Sequence, residues 1–285
     1  MSRPWILLCP SSRGLGHHLT RHLLLTTTLP ILATARHDPK LVKESLLADL
    51  DDSPSTNDAS TRLHTARVDV TSETSVRRAS EYAADLFPKE KYHLHLGFAL
   101  PGVLYPEKSP QQVDYDHALE TYKVNTLGPL MMMKWFYDFL PRKTTEMNLL
   151  SDKDVSTDTG SEGMGGSTKL PSQAVWVNMS ARVGSVSDNR LGGWYSYRSS
   201  KAAVNSLTKS FDHQLVSRSG DKAMAMSYHP GTMKTDLSKN YWETTPQDKL
   251  LAPEDAARMM ADVVSGIGLG ERGRCWDYKG EEVPP

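Results

Sequence analysis

Cysteine is nearly absent from this chain of 285 residues. Cys9 and Cys275 are the only two, and two thiols that far apart make neither a disulfide framework nor a zinc ligand set. They read as reduced thiols, and no metal is expected. Long apolar runs are missing as well. The opening MSRPWILLCP is shorter than a signal-peptide core, and nothing approaches the roughly 20 apolar residues of a spanning helix. The expectation is a soluble, cytoplasmic protein with no membrane partner. Nor is there an excess of one charge: 33 Lys and Arg stand against 34 Asp and Glu, for a formal net charge of -1. Without a positive field, nucleic acid and acidic membranes are poor partners, and a small neutral or locally bound ligand is left.

What is present is a rhythm of short apolar runs, turns and amphipathic stretches, the pattern of βα units on a parallel sheet. Strands are expected at Trp5 to Cys9, Ile31 to Ala35, Leu63 to Val68, His93 to Leu96, Ala174 to Asn178, Ala223 to Tyr228 and Arg274 to Tyr278. Helices are expected at Leu15 to Leu25, Pro39 to Leu50, Ser72 to Phe87, Tyr115 to Leu140, Tyr195 to Ser217 and Pro253 to Val264. At Pro253 the rigid first turn and the acids Glu254 and Asp255 suit the positive end of a helix dipole. Seven strands make one doubly wound parallel sheet with helices on both faces, in a single α/β domain over 1–285. Two segments, 51–61 and 144–173, are rich in Ser, Thr, Gly and Asp and poor in apolar residues, and they read as mobile surface insertions.

Two motifs carry chemistry. Between the first strand and helix lie Ser12, Arg13, Gly14, Leu15 and Gly16, a glycine-bearing turn that aims backbone N–H groups at a pyrophosphate on the helix N-terminus. The other is Tyr197-Arg-Ser-Ser-Lys201 at the start of an amphipathic run. At i and i+4 the two side chains share a helix face, and an ammonium held there lowers the pKa of a phenol otherwise near 10. Such a tyrosine is suited to general acid chemistry.

These motifs, in this order, resemble the short-chain dehydrogenase/reductase family. SARVGSVSDNRLGGWYSYRSSKAA is similar to its C-factor and sniffer-like branch, which includes carbonyl reductases. Gly14 and Gly16 match the second and third glycines of the family's TGxxxGxG, while Cys9 and Pro10 depart from its start. Ala99, Leu100, Pro101 and Gly102 stand where the family has NNAG. The resemblance implies a Rossmann-type dinucleotide fold, an NADP-dependent oxidoreductase acting on a carbonyl or alcohol, and a homodimer or homotetramer. Tyr197 is then the proton donor, and Lys201 also bonds the nicotinamide ribose. Asn125 is the helix-kinking, proton-relay position, and Lys123 is a cofactor contact.

Asp69 matches the adenine-binding carboxylate, or else caps the next helix. Gly231, Thr232 and Thr235 match the loop beside the nicotinamide. Arg36, after the second strand, and Arg13 suit the extra phosphate of NADP rather than NAD, with Asp38 a competing carboxylate. Ala181 falls on the family's usual catalytic serine, leaving Ser180, or Ser185, as the nearby substitute. Those departures, Pro10, Ala99 and Ala181, motivate an alternative: an NADP-binding regulatory or scaffold protein with little catalysis.

Other features carry less. His93 and His95 share a strand face without acidic or cysteine partners in register. Met131, Met132 and Met133, with Trp135 and Phe136, suit a helix core or a subunit contact. Trp194, Tyr241 and Trp242 flank the expected substrate side.

Overall fold

A computed structural model describes residues 1–50, 58–148 and 169–285. Its frame is one eight-stranded sheet whose members, in chain order, are β1 (Arg3–Cys9), β2 (Ile31–Ala35), β3 (Leu63–Arg67), β4 (Tyr92–Ala99), β5 (Ala174–Met179) and β6 (Ala223–His229), completed by β9 (Cys275–Asp277) and β10 (Glu282–Val283). A two-stranded parallel pair, β7 (Thr232–Met233) with β8 (Leu250–Leu251), stands apart from it. The helices are α1 (Gly14–Thr26), α2 (Pro39–Leu47), α3 (Ala59–Arg62), α4 (Glu73–Leu86), α5 (Tyr115–Tyr122), α6 (Gly128–Phe136), α7 (Tyr195–Ser219) and α8 (Pro253–Gly266).

The spatial order β10-β9-β6-β5-β4-β1-β2-β3 reverses direction between β1 and β4, and that switch point opens a crevice outside their carboxyl ends. All seven strands expected from the sequence are present and run parallel. The eighth, β10, is antiparallel and two residues long, too short to leave a pattern. Strands covered on both faces read as continuous apolar runs. Along β1, Ile6 and Leu8 face α1, α2 and α8, while Trp5, Leu7 and Cys9 face α4, α6 and α7. β4 continues past Gly97, where the sequence suggested a stop. A Cβ at Gly97 would lie 2.6 Å from the buried Trp176 ring, so glycine is there for close packing rather than for a turn.

Of the two expected insertions, 51–57 and 149–168 lie outside the described residues. Their flanks are built into the domain: Ala59 is buried, Asn148 donates its N–H to the Ser2 carbonyl (2.9 Å), and buried Gln173 donates to the Ile267 carbonyl (2.7 Å).

The helix expected over Tyr115 to Leu140 is interrupted by a π-helical turn at Lys123–Leu127. Pro129 has no N–H to give the carbonyl of Asn125 four residues back, so the α ladder fails there and the wider turn takes its place. Helix α7 is pinned along its length. Thr208 accepts from Asn178 Nδ2 and Ser227 Oγ, each at 2.9 Å, tying the helix to β5 and β6. Near its end, buried Asp212 accepts from the Ala225 N–H and from Arg272 Nε, both at 3.0 Å. Replacing Asp212 by Ala leaves a largely buried guanidinium unpaired, and urea unfolding should show a loss of about 3 kcal/mol. Removing the exposed pair Arg258–Asp262 should cost under about 1 kcal/mol.

Candidate active site

Helix α7 enters its first turn at Tyr195, which puts Tyr197 and Lys201 one turn apart on the face packed against the sheet. Both are buried, and Lys201 is only 1% exposed. The Lys201 Nζ donates to the Met179 carbonyl at the end of β5 (2.8 Å) and lies 5.7 Å from the centre of the Tyr197 ring. Among the described residues the Tyr197 hydroxyl has no hydrogen-bond partner. Burial pushes the phenol up to about 12 and pulls the lysine down to about 7. The expected lowering of the tyrosine by its lysine is therefore reversed. The lysine amine is turned to a backbone carbonyl, and desolvation opposes the charged form of both groups.

Asn125 is fully buried on the π-helical turn. Its Oδ1 accepts from the Val103 N–H (2.8 Å), and its Nδ2 donates to the Val103 carbonyl (3.0 Å) and to Ser200 Oγ (3.1 Å). The side chain thus clamps the exit of β4 to α7 beside Lys201. Lys123, at the start of the same turn, is exposed.

The two candidate substitute serines both engage other groups. Ser180 Oγ points at the Lys201 carbonyl (3.4 Å) and the Cys275 thiol. Ser185 Oγ accepts from the Asp188 N–H (3.0 Å) and donates to the Pro285 carbonyl (3.2 Å). Both hydroxyls satisfy local groups, as serines near irregular backbone commonly do.

The glycine turn has the form the sequence suggested. Gly14 takes a φ of +56°, and a Cβ at Gly16 would fall 1.9 Å from the Pro10 carbonyl oxygen, so α1 begins tight against the turn. Its N-cap residue, Arg13, gives no side-chain cap, which leaves the first N–H groups free for an anion. Ser12 is exposed beside them and Leu15 is buried in the core. A Cβ at Gly14 would sit 3.6 Å from the Thr235 methyl, which brings this turn against the loop after β6. In that loop Gly231 has a φ of +73°, Thr232 pairs with Leu250, and Thr235 caps the 3-10 turn that follows.

Arg13 reaches Asp236 (3.9 Å). A guanidinium beside Arg36 is that of Arg67, whose Nε donates to the Arg36 carbonyl (3.1 Å). Sequence reading missed Arg67, because it ends the third strand rather than the second and only the parallel β2–β3 register brings it to Arg36. Asp69 accepts from the N–H (2.9 Å) and hydroxyl (2.7 Å) of Thr71, and these bonds, with Arg36 and Arg67 nearby, hold its carboxyl below the usual range. Ser72 caps α4, so Asp69 does not. Asp38 caps α2 by accepting from the Lys40 N–H (2.8 Å).

Trp194 lies edge-on to Tyr197 (6.1 Å between centres) and against Tyr241 (5.1 Å), while Trp242 Nε1 donates to Ser238 Oγ (2.9 Å). His93 bonds Ser2 and His95 bonds the Pro171 carbonyl, both buried and away from this cluster. Among the methionines, Met132 and Met133 are core residues with Phe136.

No model of a protein family matches the chain. Among individual proteins, it is 29% identical over 207 residues to 1-hydroxy-2-glutathionyl-2-methyl-3-butene dehydrogenase of Rhodococcus sp., covering 73% of this chain and 74% of the relative. An NADPH-bound carbonyl reductase from chicken fatty liver has the same fold, with a TM-score of 0.72, 20% identity and full coverage of both chains. The carbonyl reductase Sniffer of D. melanogaster matches equally well, at a TM-score of 0.72 and 24% identity over the whole of both chains. In its sheet, its Tyr197–Lys201 pair and these relatives, the chain resembles the short-chain dehydrogenase/reductase family.

The raised phenol is directly measurable. Replacing Tyr197 by Phe should leave the ultraviolet titration of tyrosinate unchanged up to about pH 11, because this residue ionises later than an exposed tyrosine. Loss of a group titrating below 10 would show that the lysine dominates after all.

Proposed function

We propose that the protein is an NADPH-dependent oxidoreductase that interconverts a carbonyl and an alcohol, with Tyr197 as proton donor. The observation that carries this reading is the buried Tyr197–Lys201 pair, with Lys201 bonded at the carboxyl end of β5, in a sheet whose first strand ends in a glycine turn at the switch point. The residues fit the cofactor. The free N–H groups at the start of α1 suit a pyrophosphate, and Arg36 with Arg67 suits a phosphate on the adenosine ribose. Gly102 keeps a side chain out of the space near Lys201 Nζ, where its Cβ would be 3.9 Å away. One carbonyl engages that amine, which leaves donors for a ribose. When bound, NADPH would supply the hydride.

The protein's part is proton management. A phenol near 12 stays protonated at neutral pH and serves as an acid toward a developing alkoxide. Lys201, near 7, is matched to return a proton to the phenolate at neutral pH. Asn125 keeps the exit of β4 and α7 in register around them. Reduction therefore draws on the protonated lysine, and its rate should fall as pH rises through about 7.

The committed hydroxyls of Ser180 and Ser185 favour a second reading, an NADP-binding regulatory or scaffold protein with weak catalysis. With no serine to share the work, Tyr197 polarises the carbonyl alone. A screen of aldehydes, ketones and quinones with NADPH separates the two. The enzyme reading expects turnover that drops about 100-fold or more in Tyr197→Phe, with NADPH affinity retained. Tight NADPH binding with no turnover across the panel would establish the second.

A further inference from the structure

Helix α7 has no cap of its own. Its N-cap residue is Trp194, whose side chain cannot accept a backbone N–H, and the cap comes from a distant segment. Glu107, in the loop between β4 and α5, is 3% exposed. One carboxylate oxygen accepts from the Ser196 N–H (2.8 Å) and the other from the Ser196 hydroxyl. Its backbone carbonyl accepts from the Trp194 N–H (2.6 Å). Among the described residues no lysine, arginine or histidine forms an ion pair with it, so the compensation for this buried charge is the two Ser196 donors and the positive end of α7.

The segment it grips is strained. Trp194 has a φ of +50°, and the only other non-glycine residue at positive φ among those described is Asp49. Gly192 and Gly193 precede it at +63° and +66°. A bulky aromatic residue in the left-handed region persists only where its surroundings over-determine it, and such residues gather at functional sites. This conformation sets the Trp194 ring against Tyr197 on one side and Tyr241 on the other. Glu107 thereby holds both Trp194, through its backbone carbonyl, and the turn that carries Tyr197, through its side chain.

We propose that Glu107 is a positioning residue, clamping Trp194 and Ser196 so that the Tyr197 phenol is held at a fixed place and angle toward the substrate. It touches no reacting atom and acts through the start of α7. The inference rests on the reading of Tyr197 as proton donor, and it adds a residue far away in sequence that no motif marks. A carboxylate used only to stabilise the fold would contribute to melting temperature and leave turnover per folded molecule alone.

The test compares Glu107→Ala, Glu107→Gln and Trp194→Phe in the full chain, below their melting temperatures. If the clamp operates, Glu107→Ala loses the same near-ultraviolet circular dichroism band as Trp194→Phe. Its kcat falls about 10-fold or more while the affinity for NADPH stays within about 2-fold, as expected when a reacting group is displaced by an ångström or less. Glu107→Gln, which keeps an acceptor for the Ser196 N–H, recovers part of both. A kcat that falls only in proportion to the folded fraction overturns the proposal, as does an unchanged dichroism band. Should the alanine variant fail to fold, the glutamine variant gives the same two readouts. If the unaltered protein binds NADPH and reduces nothing, the proposed function fails, and the dichroism comparison alone decides the clamp.

Discussion

The amine of Lys201 sits almost wholly out of water, with the Met179 carbonyl as its acceptor. Burying an ammonium is expensive, and a folded protein meets that cost by pairing the charge or by letting it go. In this chain the lysine is drawn down to about 7, so it exchanges a proton in the physiological range while the phenol a turn away keeps its own. Everything around it serves that burial. Thr208 and Asp212 fasten α7 to the sheet, Asn125 locks the exit of β4 to the helix beside it, and Glu107 closes the helix start. The result is a phenol and an amine buried together, one turn apart, on the helix that follows β5.

Much of the architecture was legible because its causes are local. Parallel strands buried on both faces leave apolar runs such as Trp5 to Cys9, and the helices between them leave a 3.6-residue period. The Tyr197–Lys201 spacing alone fixes that the two share a face. Where local rules conflicted with packing, packing prevailed. The strand expected to end at Leu96 runs on through Gly97, a glycine because Trp176 leaves no space for a Cβ. The helix from Tyr115 breaks into a π turn whose cause, Pro129, was in plain view but whose form was not.

The electrostatics and the long-range contacts were not legible. Spacing places an ammonium near a phenol, but the sign of the phenol's shift depends on what each group faces, and the carbonyl of Met179 is 22 positions from Lys201. Arg67 joins Arg36 only through the register of β2 with β3. Glu107 caps Ser196 from 89 positions away. Ser180 was chosen by sequence position, yet the direction of a hydroxyl is set by its tertiary neighbours, here the Lys201 carbonyl and Cys275. The resemblance read from the sequence thus rests on Gly14, Gly16, Tyr197 and Lys201, while the surroundings of those residues are tertiary.

The most direct test is the titration of Lys201 itself, by heteronuclear NMR of lysine side chains, with Lys201→Met to assign its signal. An amine that loses its proton near pH 7 is the result this account requires. A value near the ordinary 10.5 of an exposed lysine would mean that the amine is hydrated, that the buried pair does not exist in solution, and that the proton chemistry built on it is wrong.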